Sequence, residues 1–400
     1  MRTIEEAARR TPVTGEYDVV VAGGGLAGMA AAIAAARQGA KVCLIEKGCM
    51  LGGLGTLGLI TIYLPLCDGR GHQVMFGLAE ELLRLSIRHG AEDEFPVGWL
   101  GGGTAEERIQ QRFYVQYNPA LFAIEAERLL LSLGVTIHYD TRACAVAMEG
   151  DRIAALVVEN KEGRRAIAGR AFVDGTGDAD LCAWASVPTA KHVENHLAMW
   201  YYAAGDSGYH LYKLARNYYA TAPGERLYDG TQQADVDAMM IDGREKILEH
   251  FLKERERSGD DTLFPAHVPQ VPSFRMTRRL AVAYALDDAE QFQHFDDSIG
   301  LTCDWRKVGP VYEIPYRCLV APNVANLITA GRCISVTTAM WDITRVIPVC
   351  AATGEAAGIA AAQGAASGVA LPELPIGALQ QALRAGGVRL HTDEVVPNPA

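Results

Sequence analysis

A short β-branched run and an alanine-rich stretch dominate the apolar pattern near the start of the chain. Residues 19–21 are three consecutive valines, which is typical of a buried strand in a parallel sheet. The alanine-rich stretch 29–38 favours a helix that ends at Gly39. The apolar run 41–45 predicts a second strand. Strand, helix and strand in this order predict a βαβ unit of a parallel α/β sheet.

A second group of elements is predicted in the middle of the N-terminal half. Asn118 and Pro119 suit the N-cap and first turn of a helix over 120–133. Four short alternating segments, separated by turns, then predict a β-meander that leads into the polar and glycine-rich stretch 174–178. These segments cover residues 135–139, 144–148, 153–159 and 165–168.

The C-terminal part repeats the strand-and-helix pattern. A predicted strand over 324–329 runs into Gly331 and Arg332, and a Gly/Ala-rich helix is predicted over 351–362. We expect both to fold back on the N-terminal unit. The polar and aromatic middle, 191–310, contains one long predicted helix and would be inserted between these segments. A short helix is predicted over 378–384.

Glycines join the first strand to the first helix at a spacing that has chemical meaning. Gly23, Gly25 and Gly28 fit G-x-G-x-x-G, a turn that lets the N–H groups of a helix N-terminus approach a pyrophosphate. Glu46 lies 21 residues beyond Gly25, close to the ~20 expected for the acid that accepts ribose hydroxyls. A carboxylate there disfavours a 2′-phosphate. The pattern predicts a dinucleotide site, but it does not separate NAD from FAD.

The composition is that of a folded, acidic chain. Of its 400 residues, 49% are hydrophobic and 21% are charged, enough for a large core. Lys and Arg number 37 against 48 Asp and Glu, which gives a net charge of −11. Such a chain is a poor candidate for binding a phosphate backbone over a broad surface. We therefore expect no nucleic-acid partner.

Cysteine usage and one uncharged run bear on metal binding and location. Nine cysteines are scattered without a C-x-x-C pair, which argues against structural zinc, iron–sulfur ligation and attached haem. We expect no metal, and reduced thiols in a cytoplasmic protein. The run 19–36 carries no charged residue and follows Arg9 and Arg10. This arrangement is also found in twin-arginine signals and in membrane spans. Its glycines and alanines favour strand, turn and helix, so no membrane span is expected.

Six stretches, in order, resemble the FAD-dependent oxidoreductase family of the glutathione-reductase-like flavoproteins, to which fumarate reductase flavoproteins are distantly related. They are G-G-G-L-A-G (23–28), L-I-E-K (44–47), L-G-G-L-G-T (51–56), F-V-D-G-T-G-D-A-D (172–180), Y-E-I-P-Y-R-C-L-V (312–320) and N-L-I-T-A-G-R-C-I-S (326–335), the last followed by R-V-I-P-V-C-A-A-T-G-E-A-A-G (345–358). One departure is S-F-R-M-T-R-R (273–279), where members often have E-S-R-R-I.

The resemblance implies FAD as the cofactor and a set of residues that would contact it. Glu46 would hold the adenosine ribose, Ala143 or Cys144 would meet the adenine, and the helix after Pro348 would face the pyrimidine end of the flavin. The complete implied set is Gly23, Gly25, Gly28, Glu46, Lys47, Gly52, Gly53, Thr56, Ala143, Cys144, Thr176, Gly177, Asp178, Gly331, Arg332, Ala352 and Gly354.

The candidate catalytic residues are Arg345, Tyr312, Tyr316 and Arg317. Arg345 stands where fumarate-reductase-like relatives keep an arginine close to substrate and flavin. Its guanidinium would either bind a substrate carboxylate bidentately or cap helix carbonyls and the flavin O2. Either tyrosine could relay a proton, although a tyrosine in the core is the more common arrangement.

The expected fold is α/β: a Rossmann-like FAD-binding domain, made of a parallel sheet plus a β-meander, with an inserted α+β substrate domain. The FAD-binding domain would comprise 15–185 and 320–366, with 61–117 partly an insert or cap. The substrate or cap domain would cover 186–319, and a C-terminal tail 367–400.

The expected activity is hydride transfer between a small organic substrate and flavin N5. The alternatives are an NAD-dependent Rossmann dehydrogenase and a flavoprotein with a non-redox or RNA-modification role. The pattern indicates no second dinucleotide-binding domain for NADH, so the electron partner stays open between a soluble carrier, a quinone, oxygen and a transiently bound nicotinamide. Self-association is also left open.

Overall fold

A parallel sheet lies at the centre of the molecule, with apolar helices packed on it. The structure is a computed structural model, and it describes residues 3–4, 8–90, 98–99, 103–110, 112–215, 221 and 223–396. The strands are β1 Val13–Ala22, β2 Val42–Ile45, β3 Ile62–Tyr63, β4 Val115–Gln116, β5 Thr136–His138, β6 Arg142–Glu149, β7 Arg152–Asn160, β8 Gly163–Asp174, β9 Thr189–Lys191, β10 Ala198–Gly205, β11 Gly208–Ala215, β12 Phe264–His267, β13 Arg278–Leu280, β14 Ser298–Cys303, β15 Val311–Pro315 and β16 Leu327–Thr329. The helices are α1 Leu26–Arg37, α2 Leu78–Ser86, α3 Ala105–Gln110, α4 Pro119–Ser132, α5 Asp180–Trp184, α6 Gln233–Ser258, α7 Thr338–Thr344, α8 Ile347–Ser367 and α9 Ile376–Ala385.

The central sheet has the order β5-β2-β1-β8-β7-β6, with β16 also paired to β8. β1 is parallel to β2 and β8, and the outer strands β5 and β16 are parallel to their neighbours as well. β6, β7 and β8 form an antiparallel meander. The long strand β8 joins the two parts, because its first half pairs with β7 and its last residues pair with β16. The α/β expectation, with a parallel sheet and a meander, is confirmed.

Several predicted elements differ in length or place. Segment 135–139, expected as the first strand of the meander, contains β5 instead, which lies parallel to β2. The predicted helix 351–362 is part of the longer α8. α8 begins earlier because Pro348 suits a first helical turn, and it ends at Gly368, which adopts a φ of +75°.

Helices α1 and α8 pack against each other through glycine and alanine. A Cβ at Gly354 would lie 2.3 Å from the carbonyl oxygen of Ala27, and one at Gly358 would lie 2.2 Å from that of Ala31. Real Cβ atoms do not approach backbone oxygens so closely. These two glycines therefore allow the backbones of the two helices to approach, and almost the whole of α8 is buried as a result.

The middle of the chain forms a smaller sheet, β11-β10-β12, with α6 packed on one side. Tyr201 stacks on Tyr212 and Tyr202 on Tyr209, with ring centroids 5.2 and 4.7 Å apart. Tyr201 and Tyr202 are fully buried. These four tyrosines of the polar and aromatic middle thus pack against one another, and none of them lines the large cavity described below.

All nine cysteines are free, and six of them are buried. In the part of the chain that the structure describes, no single helix combines the length and apolarity needed to cross a membrane. Helices α7 and α8 meet both requirements only when they are taken together, and they join at a bend of 90°.

Candidate active site

A cavity of about 960 Å³ opens at the carboxyl ends of the parallel strands. Its wall includes the residues that directly follow the strands: Gly23 after β1, Glu46 after β2, Gly175 after β8 and Ala330 after β16. Parallel α/β sheets bind ligands at this edge. The volume is at the upper end of the ~300–1,000 Å³ that ligand sites occupy.

The turn between β1 and α1 is built by glycines with different tasks. Gly23 has a φ of +97°, and its N–H donates to the carbonyl of Ile45 at 2.8 Å. A Cβ at Gly28 would lie 1.8 Å from the Gly23 carbonyl oxygen, so Gly28 serves close packing and does not line the cavity. Gly25 lines the cavity, and a Cβ there would meet no protein atom within 4 Å. Helix α1 begins at this point without a side-chain cap.

Glu46 is held rigidly at the cavity wall. Its Oε2 accepts the N–H of Gly24 at 2.8 Å, and its Oε1 accepts the N–H of Gly48 at 2.6 Å. The side chain is buried, yet it borders the cavity together with Lys47. Each carboxylate oxygen keeps a lone pair. The geometry therefore suits acceptance of two vicinal hydroxyl groups.

The second glycine segment lies beside the first. The N–H of Gly52, which has a φ of +101°, donates to the carbonyl of Gly24 at 2.8 Å, and Gly53 lies against Gly25. Both Gly52 and Gly53 line the cavity. Thr56 does not, because its hydroxyl turns away to donate to the carbonyl of Leu51 at 2.5 Å. Thr56 was expected to contact the flavin. In the structure its hydroxyl supports this turn instead.

The turn after β8 is fixed by Arg332. The Arg332 guanidinium donates to the carbonyls of Gly177 and, at 2.9 Å, Phe274, and it pairs with Asp178 at 3.0 Å. The hydroxyl of Thr176 donates to Asp174 at 2.7 Å. Thr176, Gly177, Asp178, Gly331 and Arg332 all line the cavity, as expected from the sequence. The three guanidinium nitrogens of Arg332 nevertheless all donate to protein oxygens.

At the end of the cavity formed by the meander, Ala143 lies on the wall with Thr141 and Arg142. Cys144 does not, since its thiol turns inside the sheet to the carbonyl of Val157 at 3.4 Å. Of the two residues expected near the adenine, only Ala143 borders the cavity.

The N-terminus of α8 reaches the cavity through Val346, Ile347 and Cys350. Ala352 and Gly354 were expected there, but neither lines it. Gly354 faces α1 instead, as its contact with Ala27 shows. The residues of α8 that border the cavity thus lie closer to its N-terminus than the two that the sequence predicted.

Three of the four candidate catalytic residues lie outside the cavity wall. The Tyr312 hydroxyl donates to the carbonyl of Asp288 at 3.1 Å. The Tyr316 hydroxyl donates to the carbonyl of Leu371 at 2.8 Å. Burial raises the pKa of both phenols. Arg317 pairs with Asp297. These three side chains have protein partners and do not line the cavity.

Arg345 does line the cavity. It pairs with Asp342. Asp342 also lies 3.4 Å from Arg306, and its backbone carbonyl accepts the indole N–H of Trp305 at 3.0 Å. Only 14% of the Arg345 side chain is exposed. One edge of its guanidinium is therefore occupied by Asp342, which orients the group.

The remaining wall combines apolar and cationic side chains that sequence reasoning largely missed. Two interactions bring its segments together: the Gln270 N–H donates to the Leu57 carbonyl at 2.8 Å, and the hydroxyls of Thr61 and Tyr202 lie 2.6 Å apart. The period-two pattern of Ile60, Ile62 and Leu64 was the available signal. We call the following set the substrate wall: Leu57, Ile60, Ile62, Leu64, Trp200, Lys213, Phe274, Arg275, Trp305 and Arg345.

Asp180 is a cavity-wall carboxyl with a shifted pKa. Burial, with Asp178 and Asp174 nearby, raises its pKa to about 6, against the opposing charges of Arg278 and Lys47. Arg278 lies 2.5 Å from it. Asp180 thus borders the cavity as a carboxyl paired with Arg278.

These residues fit FAD. The open space at Gly25, the uncapped start of α1 and the anchored Glu46 supply a cradle, helix N–H donors and a ribose acceptor. The fold and site thus define a dinucleotide-binding flavoprotein. The chain matches the family described as FAD dependent oxidoreductase over residues 18–199 and 190–383, and it belongs to that family. It is an FAD-dependent oxidoreductase with FAD as its cofactor.

One solved structure supports the fold, and a second is similar at a lower score. The p-nitrophenol 4-monooxygenase PnpA from Pseudomonas putida DLL-E4 is similar over 94% of this chain and 89% of its own, with a TM-score of 0.51 and 11% identity. CabE, an aromatic hydroxylase from angucycline biosynthesis, is similar over 92% of this chain, with a TM-score of 0.48 and 14% identity. This chain spans 65% of the length of CabE. No curated protein sequence matches it significantly.

Proposed function

We propose that this enzyme transfers a hydride between a small, carboxylate-bearing organic substrate and N5 of the flavin. The observation that carries the proposal is that one cavity has two differently built parts. The glycine turns and Glu46 suit the nucleotide, with Lys47 and Ala143 beside them. The substrate wall offers no such cradle, and its aromatic and cationic side chains suit a second molecule.

FAD, when bound, supplies the two-electron hydride acceptor or donor. The apolar side chains of the substrate wall, Leu57, Ile60, Ile62 and Leu64, would exclude water from the reacting carbon. Trp305 would act in the same way. In the oxidative direction the substrate carbon would give up a hydride to flavin N5, and the neighbouring hydroxyl or amine would release its proton to water on the side away from these apolar residues.

The charge of the substrate follows from the cations on the wall. Lys213, Arg275 and Arg345 all line the cavity. Lys213 Nζ lies 5.6 Å from the ring centroid of Trp200, and this cation–π contact holds the ammonium beside the cavity. Arg345, oriented by Asp342, would offer its remaining N–H groups to a carboxylate. The family assignment to FAD removes the NAD-dependent alternative, and an RNA-related role gains no support from these residues.

The proposal is tested by anaerobic reduction of the FAD-loaded enzyme with a panel of small hydroxy and amino acids. A substrate should bleach the flavin absorbance, and deuterium at the transferred position should slow the bleaching. Arg345→Lys keeps the charge but loses the planar fork. We expect it to slow bleaching about tenfold or more, equivalent to ~1.4 kcal/mol.

The matched control is Arg84→Lys, because Arg84 forms a surface pair with Glu80 at 2.5 Å and does not line this cavity. It should leave the bleaching rate unchanged. Bleaching by reduced nicotinamide alone, followed by hydroxylation of an aromatic substrate once oxygen is readmitted, would contradict hydride transfer from the substrate and indicate a monooxygenase.

A further inference from the structure

Two histidines and a buried glutamate meet outside the cofactor cavity. Glu313 lies in β15, His294 lies in the loop before β14, and His391 lies in the C-terminal segment. One ligand atom from each of the three falls within 4.8 Å of the others. None of them lines the cavity described above. The residues come from three separate parts of the chain, so only the fold brings them together.

The distances suit a small divalent ion. His391 Nδ1 lies 3.0 Å from Glu313 Oε2, and His294 Nδ1 lies 3.7 Å from Glu313 Oε1. Tetrahedral Zn²⁺, with bonds of about 2.0–2.2 Å, needs ligand atoms roughly 3.3 Å apart. The two imidazole rings lie side by side, with centroids 4.4 Å apart and planes 31° apart. Both present Nδ1 to the same carboxylate.

The carboxylate is fixed before any ion binds. The side chain of Glu313 has no exposed surface. Its Oε2 accepts the N–H of Phe295 at 2.8 Å, and its Oε1 accepts the N–H of Thr392 at 3.1 Å. Such hydrogen bonds orient metal-binding carboxylates and are typical of the surroundings of metal sites.

His294 has a carboxylate on its other side. Its Nε2 lies 3.4 Å from Asp296 Oδ1. A carboxylate beside the distal nitrogen favours the tautomer whose Nδ1 carries the lone pair, the arrangement found when histidine binds zinc. The side chain of His294 is 61% exposed, so an ion can reach it from solvent.

We infer that His294, Glu313 and His391 form a Zn²⁺ site that clasps the C-terminal segment onto β15. Two imidazoles and one carboxylate are a donor set for zinc rather than for calcium or magnesium, which prefer oxygen. Water completes the tetrahedron. The ion would reinforce contacts already present, such as the Ser298 hydroxyl that donates to the Leu390 carbonyl at 2.5 Å. Its role would be structural, because the site is separate from the substrate wall.

The test uses untagged, FAD-loaded protein that is stripped with EDTA and then dialysed against Zn²⁺. We expect one equivalent of zinc per chain by elemental analysis and a higher unfolding temperature after zinc is restored. His294→Ala should weaken zinc binding at least tenfold. Because His294 is largely exposed, this variant should fold, and its circular dichroism and flavin content check that it has.

The matched control is His210→Ala, another exposed histidine, whose Nε2 lies 2.8 Å from the carbonyl oxygen of Ser207. It should bind zinc as tightly as the wild type. Zinc binding that is equal in His294→Ala and wild type would overturn the proposal. So would a protein that retains no zinc and whose unfolding temperature does not respond to EDTA, because His391 and Glu313 would then be a hydrogen-bonded pair only.

Discussion

The amide nitrogen of Gly24 lies 2.8 Å from Glu46 Oε2, and this hydrogen bond ties the turn after β1 to the end of β2. The other carboxylate oxygen accepts the N–H of Gly48 at 2.6 Å. The acid therefore helps to build the turn and also faces the cavity. A single residue couples the shape of the glycine turn to the place proposed for the ribose.

Replacing Glu46 by glutamine should weaken FAD binding by roughly 10–100-fold. Glutamine has one oxygen, so its NH₂ group would face one of the two N–H donors. It would also lose the charge that strengthens hydrogen bonds to hydroxyl groups, each worth about 1.5–3 kcal/mol. The measurement is a titration of apoprotein with FAD, followed by flavin fluorescence. Glu16→Gln, an exposed position in β1, should bind FAD normally, and equal affinity of the two variants would count against the assignment.

The close contact of α1 and α8 predicts opposite effects for two glycine-to-alanine changes. At Gly354 the new methyl would lie 2.3 Å from the Ala27 carbonyl oxygen, which forces the helices apart. We expect a loss of about 1–3 kcal/mol in the free energy of unfolding. At Gly377 in α9 a Cβ meets no atom within 4 Å.

Gly377→Ala is thus the control, and it should stabilise the protein by about 0.5–1 kcal/mol. Urea unfolding of both variants measures the two free energies. A Gly354→Ala variant as stable as the wild type would mean that the helices pack less closely than the structure indicates.

Most residues that the sequence predicted for the nucleotide do border the cavity, because the signals for them are local. The spacing of Gly23 and Gly25 and the position of Glu46 follow from one strand, one turn and one helix. Ala352 and Gly354 illustrate the limit. The face of α8 that borders the cavity depends on how this helix crosses α1. Small residues suit a face that packs against another helix as well as a face that contacts a ligand.

The substrate wall was harder to predict, because its members are far apart in the chain. Trp305 borders the cavity through a loop whose place is set by the hydrogen bond from its indole to Asp342. Tyr312 was chosen from a family-like motif, yet β15 buries it. A motif can be retained for packing, and its residues alone do not reveal which side chains face a ligand.

Lys213 provides a test of the proposed substrate charge. Lys213→Met keeps most of the length of the side chain and removes the ammonium on the cavity wall. We expect KM for a carboxylate substrate to rise about tenfold, while kcat changes little, because the charge would contribute to binding and not to hydride transfer. Lys246→Met, which breaks a surface pair with Glu249, should change neither constant. A fall in kcat without a change in KM would contradict a binding role.

A second buried carboxyl, Glu355 in α8, links stability to pH. Its Oε2 accepts the N–H of Leu78 at 2.8 Å. Burial raises its pKa from 4.5 to about 7; Glu81 adds to the rise, and the Leu78 N–H and Arg37 oppose it. The group is 5% exposed, so solvent screens it little. It lies on the side of α8 that faces α2, and it does not line the cofactor cavity.

The sign of the pH effect follows from which state holds the proton. The unfolded chain releases it near pH 4.5, whereas the folded protein keeps it up to about pH 7. Over that interval the folded state binds more protons, so the free energy of unfolding should fall as pH rises and level off above about pH 7.

Glu355→Gln should remove this slope, because glutamine stays neutral and its oxygen can still accept the Leu78 N–H. At pH 8 the variant should be more stable than the wild type by up to ~3 kcal/mol, since each unit of pKa shift corresponds to about 1.4 kcal/mol. The two proteins should converge towards pH 4.5. Urea unfolding between pH 5 and pH 8, with FAD saturating, measures the difference. The exposed Glu373→Gln serves as the control and should keep the wild-type slope. If Glu355→Gln keeps it as well, another group is responsible for the pH dependence.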